Sequence, residues 1–238
     1  MEIYCYPVLP STQDLAKELL KKKKPPFAVT ALEQTKGYGK QGRAFYSPKN
    51  GLYLSVCLEK RENPLLTLAV GTAVADFLRA RYGLEIGLKW PNDLFYQGKK
   101  VAGILTEQVV GGIVVGLGLN LGAELPASLP QATRLLEAGD FDPLLADDLA
   151  CVICRAASWQ DCLPRYRELS ILTGREVTLK IAGRTISGTC AGFDDQGRLL
   201  LEKGGKIRAW SSGEVKCPTI VRHRHLTIVG YFYDQIFI

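Results

Sequence analysis

Four stretches of this chain carry residue types and spacings suited to gripping an anion and activating it. In Lys89-Trp90-Pro91-Asn92-Asp93 a lysine, an aromatic ring, an amide and a carboxylate share one tight turn with Asn-Asp chemistry. Lys100, eleven residues beyond Lys89, leads into Val101-Ala102-Gly103-Ile104-Leu105, where Gly103 lets a ligand approach the strand backbone. Across a hairpin, the two lysines face one pocket. Gly116-Leu117-Gly118-Leu119-Asn120 is a strand bare of side chains at alternate positions and closed by an amide, a surface for a flat ligand with a base-reading group at its end.

The fourth stretch, Gly37-Tyr38-Gly39-Lys40-Gln41-Gly42, satisfies the three-glycine dinucleotide pattern. Arg43-Ala44-Phe45-Tyr46-Ser47-Pro48 behind it cannot open a long helix, and a Rossmann site needs strand, loop and helix in that order. The Walker pattern fails as well, because Gly42 is followed by Arg43-Ala44. What remains is a flexible glycine-rich loop with Lys36, Lys40 and Arg43 around it, suited to wrapping an anion.

The elements that must position these residues follow from periodicity. Ser11 to Asp14 reads as a capping box opening a first helix that ends near Lys24. Phe27 to Ala31 and Leu52 to Leu58 are strands flanking the glycine-rich loop, and a second helix runs from Pro64 to just before Gly83. Strands at Ile86 to Trp90, Leu94 to Tyr96, Val101 to Val109 and Ile113 to Leu119 form hairpins, and Asp142-Pro143 caps a third helix. The pattern describes an α+β domain with helices on one face of a sheet. After Leu172 the helical period gives way to short strands at Val177 to Ile181, Thr185 to Phe193, Leu199 to Glu202 and Ile207 to Trp210, the pattern of a small all-β barrel. The expected division is a domain over 1–171, a barrel over 172–217, and a tail over 218–238 that adds a strand, buries against a partner or is foreign to the fold.

Composition excludes several classes. A chain of 238 residues with 47% hydrophobic and 23% charged residues buries enough surface to need no disulfide or metal staple. The longest apolar stretch, Val109 to Leu119, contains four glycines and falls short of the ~18 residues of a membrane-spanning helix. Met1 to Pro10 has no basic leader, so the expectation is a cytoplasmic protein without membrane contact. Seven cysteines, an odd number, fit reduced thiols; Cys151 and Cys154 have metal-ligand spacing but sit in a helical pattern remote from His223 and His225, and are expected as small buried hydrophobes. The formal net charge of +6 owes much to Lys21 to Lys24, a run that complements a helix C-terminus and does not establish nucleic-acid binding.

From Ser11 to Val215 these motifs, in this order, resemble the biotin protein ligase family, with Lys89 to Asp93 the most specific of them. The resemblance implies a class II synthetase-like catalytic fold, with a mixed sheet, joined to a C-terminal Src-homology-3-like barrel that ends at Trp210-Ser211-Ser212-Gly213-Glu214-Val215. It implies that biotin is activated with ATP and Mg2+ to biotinyl-5'-AMP and then joined to a lysine of a biotin carboxyl carrier domain. Residues implied around biotin are Ser11, Thr12, Gln34, Gly37, Tyr38, Gly39, Lys40, Trp90, Lys100, Gly103, Gly116 and Gly118. Those implied around the nucleotide are Lys40, Arg43, Phe45, Asn92, Lys100 and Asn120. Lys100 takes the central role, bridging the biotin carboxylate and the α-phosphate, with Arg43 and Asp93 as its catalytic companions; Asp93 orients the acceptor amine or helps hold magnesium.

Two departures stand out. The family loop commonly has arginines where this chain has Tyr38 and Lys40, which exchanges planar bidentate contacts for a phenol and a point charge. Many relatives carry an N-terminal winged-helix repressor domain, whereas here Ser11-Thr12 lies almost at the start, so no DNA binding is expected. The expected oligomeric state is a monomer or homodimer. Alternatives are a lipoate protein ligase, disfavoured by the Lys89 to Asp93 motif and the barrel, and a non-catalytic biotin-binding or adaptor module, disfavoured by the intact lysines 89 and 100.

Overall fold

The computed structural model describes residues 1–138, 140, 142 and 144–217. The tail over 218–238 and Pro143 of the expected helix cap lie outside the described residues. The first body contains β1 (Glu2–Tyr6), α1 (Thr12–Leu20), β2 (Phe27–Ala31), β3 (Leu52–Leu58), α2 (Leu66–Tyr82), β4 (Ile86–Lys89), β5 (Asp93–Tyr96), β6 (Lys99–Val109), β7 (Gly112–Leu119), α3 (Leu145–Ala156) and α4 (Leu163–Leu169). Its seven strands form one mixed sheet in the order β1-β2-β3-β7-β6-β5-β4, with only β1 and β2 parallel.

Alternation along the central strands explains the layers. Leu52, Leu54, Val56 and Leu58 of β3 join Ile113, Val115, Leu117 and Leu119 of β7 in the main core, against α2, α3 and α4. Phe27, Val29, Cys57 and Val114 point the other way and pack against Ala16 and Leu20 of α1. The single helical face expected from the hairpin pattern holds for α2, α3 and α4, and α1 departs from it. The physical reason is visible in β2 and β3, whose near-continuous apolar runs belong to strands covered on both faces. Covering the second face only over β2, β3 and the start of β7 leaves the rest of that face to the site.

The cysteine expectation also divides. Cys57, Cys162 and Cys190 are buried, but Cys5 and Cys151 are exposed and Cys154 and Cys217 half-buried, so Cys151 is not a core residue. Among the described residues no three His, Cys, Asp or Glu side chains gather in metal-binding geometry, and no helix is long and apolar enough to cross a membrane.

The C-terminal sheet consists of β8 (Glu176–Ile181), β9 (Arg184–Phe193), β10 (Leu199–Lys203), β11 (Lys206–Trp210) and β12 (Glu214–Lys216). Its strands are antiparallel throughout in the order β11-β10-β9-β8-β12. Its inward residues Val177, Leu179, Phe193, Leu199, Leu201 and Val215 belong to the same buried cluster as the first body. Tyr166 of α4 meets Phe193 edge-on at 5.1 Å between centroids, and Arg167 donates to the Phe193 carbonyl. Trp90, only 3% exposed, donates its indole N–H to the Gly197 carbonyl at 3.0 Å, so the turn after β4 is bolted to the β9–β10 turn.

Trp90→Phe deletes that donor and strands a buried carbonyl, which is expected to cost about 1–3 kcal/mol in urea unfolding. Tyr166→Phe removes a buried hydroxyl that has no hydrogen-bond partner among the described residues, and is expected to be neutral or stabilising in the same measurement.

Candidate active site

The face of the sheet that α1 leaves uncovered carries two rungs of side chains. The first runs Ser55 (β3), Gly116 (β7), Leu105 (β6), and the second, two residues along, runs Tyr53 (β3), Gly118 (β7), Gly103 (β6), Asp93 (β5), Lys89 (β4). Period-two alternation puts both rungs on one face. Above them the N-terminus of α1, the glycine-rich segment and β12 enclose a cavity of about 320 Å3.

Lys100 reaches this cavity because of a β-bulge. Opposite β5 the register shifts, with Leu94 paired to Ala102 but Phe95 to Lys100, so Val101 is the extra residue. Val101 and Ala102 are both fully buried in the main core, and the alternation resets so that Lys100 shares the face of Gly103. Its ammonium meets Asp93 Oδ1 at 2.7 Å. Asp93 thus stands between Lys100 and its rung neighbour Lys89, whose ammonium lies 5.2 Å from the Phe95 ring centroid. The two lysines anticipated to face one pocket do so.

The glycine-rich segment forms a hairpin. Tyr38 bridges to Ala44, the tip over Lys40–Gly42 turns through Gln41 at φ 58°, and the Gly39 amide donates to the Arg43 carbonyl at 2.8 Å. Gly39 and Gly42 amides are satisfied within the hairpin, so its cationic side chains, more than those amides, are available to an anion. Lys40 and Arg43 line the cavity, and Arg43 pairs with Glu214 of β12 at 3.0 Å. Burial pushes the Lys40 and Lys89 ammonium groups below the ordinary lysine range, partly opposed by the Asp93 carboxylate.

At the polar end, Ser11 caps α1 by accepting from the Asp14 amide at 3.3 Å. Gln34 Oε1 accepts from the Thr12 amide at 2.8 Å and lies 3.1 Å from the Thr12 hydroxyl, while Gln34 Nε2 donates to Ser47. The Thr12 hydroxyl also meets Ser55 Oγ at 2.9 Å, and Ser55 donates to Gln13 Oε1 at 3.0 Å. Two hydroxyl hydrogens serve these three contacts, so the cluster has acceptor capacity left for an incoming N–H.

Of the residues singled out from sequence, Ser11, Thr12, Gln34, Tyr38, Gly39, Lys40, Arg43, Phe45, Trp90, Asn92, Asp93, Lys100, Gly103, Gly116 and Gly118 line the cavity. The space over two of them is used differently from expectation: a Cβ on Gly116 would stand 2.6 Å from Gln13 Oε1, and one on Gly118 2.6 Å from the Phe45 ring, so these glycines seat the protein's own side chains. Gly37 lies beneath the hairpin against Ser47 and Gln34. Asn92 holds β6 by donating to the Ile104 carbonyl. Asn120 does not line the cavity; it is 4% exposed, its amide N–H donates to the Thr133 carbonyl, and its Oδ1 has no hydrogen-bond partner among the described residues. Gln13, Ser55 and Glu214 line it without having been singled out. Ser55 is a lone polar residue in the apolar run of β3, a signal that could have found it.

The donor set does not fit a resident magnesium ion. Among the described residues the cavity's carboxylates, Asp93 and Glu214, are each paired with a cation, and Lys40 and Lys89 add further positive charge.

Comparison with known proteins agrees with this geometry. Residues 5–123 match the Biotin/lipoate A/B protein ligase family, and residues 172–216 match the Biotin protein ligase C terminal domain. A biotin--[acetyl-CoA-carboxylase] ligase of Mycobacterium tuberculosis is 34% identical over 205 residues, covering 79% of this chain and 77% of that protein. The bifunctional ligase/repressor BirA of Escherichia coli is 31% identical over 230 residues, covering 88% and 72%. The structure of biotin protein ligase from Aquifex aeolicus in complex with biotin and ATP superimposes with a TM-score of 0.78 at 27% identity, covering 92% of this chain and 99% of that one. The chain belongs to the biotin protein ligase family.

Because the folded state disfavours the charged form of Lys89, the unfolded chain binds that proton more tightly, and stability rises with pH between the lowered folded value and the ordinary 10.5. Lys89→Met is expected to flatten this alkaline rise and to lift the thermal midpoint at neutral pH, measured by thermal unfolding at a series of pH values up to 10.5.

Proposed function

We propose that this chain activates biotin with ATP and transfers it to a lysine of a biotin carboxyl carrier domain. The observation that carries the reading is one cavity with an acceptor-rich polar cluster at one end and a Lys89–Asp93–Lys100 array at the other. A ureido ring brings two N–H donors and a carbonyl, which suit Thr12, Gln34, Ser55 and Gln13. The valeryl carboxylate then points along the sheet toward Lys100.

In the first step a biotin carboxylate oxygen attacks the α-phosphorus of ATP and the bond to the β-phosphate oxygen breaks, releasing pyrophosphate. Lys100, aimed by the bulge, spans the carboxylate and the α-phosphate and neutralises charge that grows on the phosphoryl oxygens. Lys40, Lys89 and Arg43 hold the remaining phosphates, and magnesium enters on the triphosphate as part of the substrate. In the second step the acceptor amine attacks the acyl carbon of biotinyl-5'-AMP and AMP leaves. Asp93, released as Lys100 turns to phosphate, receives an N–H of that amine. No enzyme nucleophile is required, and among the described residues no cysteine lines the cavity. Residues 1–171 supply the reacting groups, and 172–217 complete the cavity through Gly213, Glu214 and Val215. The match of residues 172–216 to a biotin ligase C-terminal domain favours biotin over lipoate.

Incubation with ATP, magnesium, either biotin or lipoate, and a carrier domain is expected to raise the carrier mass by one biotinyl group and by no lipoyl group. Lys100→Ala is expected to lower pyrophosphate release at least 1,000-fold, about 4 kcal/mol of transition-state stabilisation; unchanged release would remove Lys100 from its role. Lys40→Arg, which restores a planar bidentate donor, is expected to slow escape of biotinyl-5'-AMP about threefold or more in a filter assay.

A further inference from the structure

Tyr38 turns away from the cations of its own hairpin. Its hydroxyl donates to Asp14 Oδ1 at 2.7 Å and accepts from Lys17 Nζ at 2.9 Å, both on α1. Lys17 pairs in turn with Glu107 of β6 at 2.7 Å, and Glu107 accepts from Gln13 Nε2 at 2.9 Å. Gln13 is the residue whose Oε1 holds Ser55 at the polar end of the cavity. A continuous set of hydrogen bonds therefore joins one arm of the hairpin to the cavity floor through α1.

The arrangement comes at the expense of the helix cap. Asp14 stands where a capping box would send a side chain back to Ser11, yet its carboxylate serves Tyr38, and only the Ser11 Oγ contact to the Asp14 amide remains of the box. A phenol suits this position better than a cation, because it can donate to a carboxylate and accept from an ammonium at once. On the far arm the ion pair between Arg43 and Glu214 is exposed and screened by water, and Phe45 rests its ring on Gly118 at the base of the hairpin.

We propose that Tyr38 is a positioning residue: by bridging Asp14 and Lys17 it docks the glycine-rich hairpin on α1 through the protein's own side chains, which fixes Lys40 and Arg43 over the cavity and retains the activated intermediate there. The retention half rests on the ligase reading above; the docking half does not.

Limited trypsin digestion of the protein without added ligand separates the two. The hairpin offers Lys36, Lys40 and Arg43 as cleavage points. Tyr38→Phe keeps the ring that lies 5.5 Å from Lys17 Nζ and deletes only the hydroxyl. Cleavage within residues 36–43 is expected to be about tenfold faster in Tyr38→Phe, with an unchanged thermal midpoint. Asp14→Ala, which removes the acceptor, is expected to be cleaved faster in the same way, and the double variant to be no faster than the faster single one. Equal cleavage rates in wild type and Tyr38→Phe would overturn the docking. With biotin, ATP and magnesium, the free fraction of the activated intermediate is expected to appear about tenfold faster from Tyr38→Phe; equal escape rates would overturn retention. A wild-type chain that released no pyrophosphate from biotin and ATP would instead remove the ligase reading, and the trypsin comparison would still decide the docking.

Discussion

Like charge held in a confined space is the constraint from which the rest of the structure follows. Lys40, Lys89, Lys100 and Arg43 converge on one cavity, and among the described residues only Asp93 and Glu214 offset them there. Left to itself such a group would spread into water, since burial disfavours the Lys40 and Lys89 ammonium groups. It is held because the four cations stand on three separately anchored pieces: Lys89 on β4, Lys100 on β6, and Lys40 and Arg43 on the hairpin. The same crowding that costs stability makes the cavity attractive to anions.

The scaffold serves this in two ways. A sheet clad on one side by α2, α3 and α4, and only partly on the other by α1, provides a floor whose back is rigid and whose front is open. The bulge at Val101 then converts a strand position that would point into the core into one that points into the cavity. Asp93 orients the result, and Asn92 ties the adjoining turn to β6.

Much of this was legible in the chain itself, for reasons that differ element by element. β3, β6, β7 and α2 carry periods long enough to read, and Lys89 to Asp93 advertises its turn through its own residue types. β1 has no fully buried residue to mark a core face, α4 is two turns long with a proline in its first turn, and β12 has three residues, so none of them carries a pattern that reads as an element. The second-face position of α1 was encoded in the doubly apolar β2 and β3 but needed a strand order to interpret. Gln13 and Glu214 enter the cavity through tertiary placement, and the bulge leaves no local mark. Asn120 sits at the end of a strand, as expected, but its side chain is engaged with Thr133 beyond the cavity wall.

The bolt between Trp90 and Gly197 and the seat of Glu214 beside Arg43 have a consequence for modularity. The two sheets are not interchangeable parts. A C-terminal segment transplanted from a distant homologue would have to bring a turn with a carbonyl at the height of the indole and an acid within reach of the hairpin, or recombination would yield a chimera with a mismatched shared core and a chamber that lacks a wall.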